Sequence, residues 1–157
     1  MKLNLLFWLC QTLPEALAVT SLAVVLCKKR LEVKPILLIG VFFAVIVYLV
    51  RLMPLDFGVH FIILMIILAL LLTIQLKINF SRCLLITLVI GIILAVSETV
   101  FIYLFLLLTD TNMDQIALGE TIHILIAWPH IIFLFLIALA VNQWRKVHPV
   151  REGENYD

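Results

Sequence analysis

Residues 59–76 read VHFIILMIILALLLTIQL, and residues 83–108 read CLLITLVIGIILAVSETVFIYLFLLL. Crossing the hydrocarbon core of a bilayer takes about 20 mostly apolar residues in a helix, and both stretches meet that length. Lipid offers no hydrogen-bond partners, so only helices and closed barrels can span it. Neither stretch alternates apolar and polar residues with period two, so both read as helices.

Three further stretches of the same kind flank them, at residues 3–26, 35–50 and 122–144. The second is short, and Leu31, Val33, Leu52 and Met53 can extend it at its ends. The fourth is long enough to tilt. The expectation is an all-α polytopic transmembrane bundle of five spans. It occupies residues 1–144, with a polar tail at residues 145–157. The N-terminal stretch resembles a signal peptide only superficially. It runs on past Gln11, Pro14 and Glu15 to Leu26, and its basic run, Lys28, Lys29 and Arg30, follows it. Retention as a first span is the expected outcome, since signal h-regions are about 7–15 residues long.

Composition supports a lipid solvent. The chain is 65% hydrophobic and 13% charged, whereas a soluble domain is about half apolar and about a quarter charged. Mean hydropathy is +1.24. Net charge is +1, and no basic patch with interleaved aromatics suggests nucleic acid. Cys10, Cys27 and Cys83 form no CxxC pair and no metal-finger spacing. They read as small hydrophobes in helices rather than as a disulfide framework or a metal site.

Charge alternation predicts orientation. Lys28, Lys29, Arg30, Lys34, Lys77, Arg82, Arg145, Lys146 and Arg151 fall on one side, nine of the eleven basic residues. Lys2 and Arg51 fall on the other. Positive-inside places the nine in the cytoplasm. The N-terminus is then outside and the C-terminus cytoplasmic. Trp8 and Trp144 fall near opposite interfaces, as aromatic anchors do.

Several polar residues lie at membrane depth, where an ionisable group costs about 2.5–3.5 kcal/mol on insertion scales. Glu15 is about 18 Å along the first span, and Gln11 shares its face one turn earlier. Glu98 is about 15 Å below the outer end of the fourth span, flanked by Ser97 and Thr99. His130 is about 12 Å into the fifth, with His123 on roughly the same face. Pro14 and Pro129 are expected to bend the first and fifth spans. Gln11, Glu15, Glu98, His130 and His123 thus form a candidate ligand, ion or proton site in the outer half of the bundle. The alternative is structural: the same groups lock helices together through interhelical hydrogen bonds.

Other features have local explanations. Arg51 is expected to snorkel to the headgroups. Pro54 and Gly58 shape the outer turn, and Asp56 can cap the third span. No Gly-rich phosphate loop, HExxH or GxSxG occurs. The predicted topology puts Cys83 and His60 at opposite faces, too far apart for a thiol–histidine dyad. No catalytic residue, metal or cofactor is expected, and the chain does not read as an enzyme.

The outer turn runs Arg51-Leu52-Met53-Pro54-Leu55-Asp56-Phe57-Gly58-Val59-His60. With Leu13-Pro14-Glu15, Ser97-Glu98 and Trp128-Pro129-His130, it resembles the polytopic membrane input domain of Firmicutes sensor histidine kinases of the sporulation-phosphotransferase or quorum-sensing type. That resemblance covers nearly the whole chain. It implies a sensory or regulatory input module. Such kinases continue into phosphoacceptor and ATP-binding domains, while this sequence ends at Asp157. A stand-alone module is therefore expected, without kinase activity of its own, acting through a kinase or other signalling partner. The lipid bilayer and a second copy of the chain are further expected partners. A small transporter or channel subunit using Glu15 and Glu98 ranks second, and a structural assembly partner third. A transport path needs polar groups toward both faces, and below Glu15 only Thr20, Ser21 and Thr87 offer them.

Overall fold

The computed structural model describes residues 8–29, 31–53, 57–109 and 120–147. A π-helical turn, Trp8–Thr12, leads directly into α1, Leu13–Leu26. The other helices are α2, Val33–Arg51; α3, Phe57–Leu76; α4, Phe80–Thr109; and α5, Glu120–Val147. Five candidate spans result, each long and apolar enough to cross a membrane. α2 takes in Val33 at its start, which brings the short second span to bilayer length. Residues 3–7, Arg30, Pro54, Asp56 and the tail from residue 148 lie outside the described residues.

The expected irregularity at Pro14 takes a specific form. Pro14 sits in the first turn of α1, inside the continuous helical run from Trp8 to Leu26, so its missing N–H falls at the junction of the π-helical and α-helical segments. The distortion is the π-helical turn just before it, a feature that recurs at functional sites. Pro129 lies inside α5, which is helical on both sides of it.

α1 is the hub of the bundle. It packs against α2, α5 and α4, while α2–α3, α3–α4 and α4–α5 pack in chain order. The reason lies in its side chains. Ala16, Ala18, Val19, Thr20, Ser21, Leu22, Ala23, Val24 and Val25 are all buried. A helix that is buried on every side needs no amphipathic stripe, and small residues allow backbones to approach closely. One close approach is at Gly40 on α2. A Cβ there would stand 2.6 Å from Leu17 Cδ2 and 3.3 Å from Leu17 Cα.

The exterior is apolar. Phe42, Ile62, Leu85, Ile92, Leu107 and Leu136 are all exposed. In water so large a patch would drive aggregation; acyl chains solvate it without penalty.

One end of the bundle gathers the basic residues. Arg145 of α5 donates from its guanidinium to the Val25 carbonyl, which also accepts the Lys28 N–H at the end of α1. Cys27 lies beside Cys83 at the same end, with Arg82 and Lys29 nearby. Burial, and then the neighbouring Cys83, pushes the Cys27 thiol up to about 11. It is therefore a protonated, packed thiol, as the composition suggested.

α1 ends in a Schellman turn. The Lys29 N–H reaches Val24 O at 3.2 Å and the Lys28 N–H reaches Val25 O at 3.0 Å. Lys28 is left-handed at φ 61°, and Lys77 after α3 is left-handed at φ 53°. Glycine is the usual residue there, because it has no Cβ to clash. Each turn thus keeps a positive charge where backbone sterics favour glycine. Lys28→Gly is expected to stabilise the detergent-solubilised protein by up to about 1 kcal/mol. A thermal-unfolding midpoint that does not rise would contradict the left-handed assignment.

Candidate functional site

The site is built on the π-helical turn. Gln11 and Thr12 lie in that turn, and Glu15 follows in the first turn of α1. Gln11 is half-buried, and among the described residues its Oε1 has no hydrogen-bond partner. Glu15 is half-buried as well.

Two contacts set the depth of the other groups. Arg145 beside Val25 fixes the register of α5 on α1. The two helices run parallel, so His130 falls about level with Gln11. Cys27 beside Cys83 fixes the register of α4, which runs antiparallel to α1. Glu98 then falls about level with Thr12. Counted from these two contacts, Gln11, Glu98 and His130 fall near one level of the bundle.

His130 is the most enclosed member, 2% exposed. It shares the inward face of α5 with the buried Ala127, Ile131, Leu134 and Ala138. That spacing is the apolar stripe of a core-facing helix, with an imidazole where a hydrocarbon would pack. Among the described residues neither ring nitrogen has a hydrogen-bond partner.

Glu98 departs from the expectation of a buried carboxylate. It is exposed at the surface of the bundle, yet near enough to bear electrostatically on both Glu15 and His130. It therefore marks the lateral edge of the cluster. Its flanking hydroxyls do not hold it. Ser97 Oγ donates to Leu94 O at 2.9 Å, and Thr99 Oγ1 donates to Ala95 O at 2.8 Å. His123 lies in α5, but its side chain is outside the described residues.

Arg51 corrects the sequence reading most directly. It does not stand free at the end of α2 but reaches across to α1. It is half-buried, and its Nη1 donates to Thr12 Oγ1 at 3.4 Å, a long bond. Its charge bears on Glu15 and on the half-buried His60 of α3. The physical reason is that α1 places an acid below the end of α2. A long cationic side chain then gains more by turning down toward a carboxylate than by turning up. A visible signal existed: Arg51 and Lys2 are the only basic residues on the predicted outer side. Trp8 closes this corner. Its Nε1 donates to Ala44 O at 3.0 Å, and its ring meets Tyr48 edge-on at 6.1 Å.

The coupling can be measured. In a double-mutant cycle of Glu15→Gln and Arg51→Gln, the expected coupling is about 0.5 kcal/mol or more in favour of the pair. Additive effects on unfolding would place Arg51 outside the cluster.

Below Glu15 the polar groups thin out. Thr20, Ser21 and Thr87 are buried. Ser21 Oγ donates to Leu17 O at 2.7 Å and Thr87 Oγ1 to Leu84 O at 2.9 Å, so both hydroxyls are occupied by their own helices. Thr20 Oγ1 has no partner. Among the described residues no group of three or more His, Cys, Asp or Glu could hold a metal ion.

The cluster thus combines a carboxylate and a guanidinium, a carboxylate at its edge, and unsatisfied amide and imidazole groups inside. It can accept and donate hydrogen bonds to something that enters from the side. No family model, curated protein or solved structure matches this chain.

Proposed function

We propose that this multi-pass membrane protein is a sensory or regulatory input module that acts through a partner protein. Its nine-residue positive side faces the cytoplasm and the Trp8 end faces outward. The site takes a small apolar or peptidic ligand, and occupancy is read out as a shift of α1 and α5. One observation carries this reading: His130 is buried with both nitrogens unpartnered among the described residues, on the helix that packs against the π-helical turn holding an equally unpartnered Gln11 Oε1. Buried polar groups without partners are rare in finished cores and mark places where something else supplies the bond.

Glu98 supports the partner. A carboxylate on a lipid-facing surface is costly, and a polar group on a neighbouring transmembrane helix would relieve that cost. The resemblance of the segments around Pro14, Arg51, Glu98 and His130 to kinase input domains points the same way. No catalytic role is assigned to the chain.

Transport is the second reading, favoured by the open Thr20 hydroxyl below Glu15. One experiment separates the two. Proteoliposomes carrying the protein are assayed for proton and cation flux, with Glu98→Gln as control. In parallel, the transcriptome of the expressing cell is compared between wild type and Glu98→Gln. The input-module reading expects no flux and a shifted set of transcripts. Flux that is abolished by Glu98→Gln would replace it with the transport reading.

A further inference from the structure

The basic end of the bundle holds an open cleft of about 560 Å³ between the α1–α2 turn and the end of α3. That volume is in the range of small-molecule sites, about 300–1,000 Å³. Lys28, Lys29 and Lys34 line its mouth, with Glu32 and Gln75. Three ammonium groups face one carboxylate, so the mouth is net positive. The Schellman turn fixes the backbone at Lys28 and Lys29, so the lysines are anchored on a defined turn. The wall behind them is apolar, formed by Val24, Leu38 and Leu76.

The cleft is continuous with the outer surface of the bundle. Leu38 is itself exposed, and the α2 face above it continues through the exposed Val41, Phe42 and Val45. Ile74 extends the apolar surface on α3. A soluble anion would satisfy the lysines and leave this wall uncovered. A phospholipid satisfies both: phosphate and headgroup among the ammonium groups, one acyl chain along α2. Lysines are suited to this, being mobile point charges that accept a phosphate in several orientations. Basic pockets between transmembrane helices bind anionic headgroups in the same way.

We propose that this cleft is a binding site for an anionic phospholipid. Native mass spectrometry of the solubilised protein tests it with phosphatidylglycerol, phosphatidylcholine and inorganic phosphate as probes. Phosphatidylglycerol is expected to bind at least about tenfold more tightly than phosphatidylcholine, since each lysine near an anionic headgroup adds attraction. Lys29→Gln/Lys34→Gln should remove that preference. Lys77→Gln/Arg82→Gln, which removes equal charge from the other turn at this end, should retain it. Should the first variant fail to fold, Glu32→Gln decides. It removes the one carboxylate and should raise the preference for phosphatidylglycerol. Three results overturn the proposal: equal binding of the two lipids, equal loss in both double variants, or displacement of the lipid by inorganic phosphate.

Discussion

Gly40→Leu is expected to prevent α1 and α2 from docking, with the largest stability loss of any single substitution in α2. Even a methyl group at this position would lie 2.6 Å from Leu17 Cδ2 and 3.3 Å from Leu17 Cα. The first contact can be relieved by a rotamer change. The second is with backbone, so the helices themselves must separate. α1 is the hub, and moving α2 off it also disturbs the bonds from Trp8 and Arg51. Overpacking a core costs about 1–3 kcal/mol; Gly40→Ala is expected in that range and Gly40→Leu beyond it. Leu17→Ala combined with Gly40→Ala should recover part of the loss, because it removes Cδ2. Gly91→Ala should cost less. Its new Cβ would meet Phe61 Cζ at 2.6 Å and Met65 Sδ at 3.0 Å, both at the ends of side chains that can move. Gly58→Ala meets nothing within 4 Å and should be neutral or favourable, since alanine is the better helix former by about 1 kcal/mol. Unfolding titrations in mixed micelles would rank the five variants. A Gly40→Ala protein as stable as wild type would mean that α1 and α2 do not cross there.

The number of helices and their approximate limits were readable because lipid imposes one rule on every span. Each must be long, apolar and hydrogen-bonded within itself. The arrangement of the helices was not readable. α1 is less apolar than α2, α3 and α4, yet it is the most enclosed of the five. A protein interior accepts Thr20, Ser21 and Glu15 more readily than acyl chains do, but polarity alone does not choose the central helix: α5 is as polar as α1 and far less enclosed. The site divides in the same way. Depth follows from counting residues at a fixed rise, and Gln11, Glu98 and His130 do share a level. Azimuth does not follow from counting. It depends on which neighbour each helix chooses, and that placed Glu98 at the rim and turned Arg51 inward. The left-handed lysines show a further conflict that composition hides. Local sterics favour glycine at residues 28 and 77, while orientation in the membrane favours charge, and charge prevailed at both.

His130→Leu is expected to make the protein more stable and to silence it. Leucine fills a similar volume on the α5 face that already presents Ala127, Ile131, Leu134 and Ala138 to the core. It removes two buried nitrogens that have no partner. An unsatisfied buried polar group costs about 1–3 kcal/mol, so the unfolding free energy should rise by an amount of that order. If His130 instead served to lock α5 to its neighbours, the same substitution would break a bond and lower stability. The sign of the change therefore separates a binding group from a structural one. Output gives the second arm: the transcript set that responds to the wild-type protein should no longer respond to His130→Leu. Stability that falls, or output that persists in the stabilised variant, would remove His130 from the site. A gain in stability at the expense of function is the usual signature of a residue held in place by function. In this bundle the signature should be strong, because no water is at hand in the hydrocarbon layer to satisfy an idle imidazole.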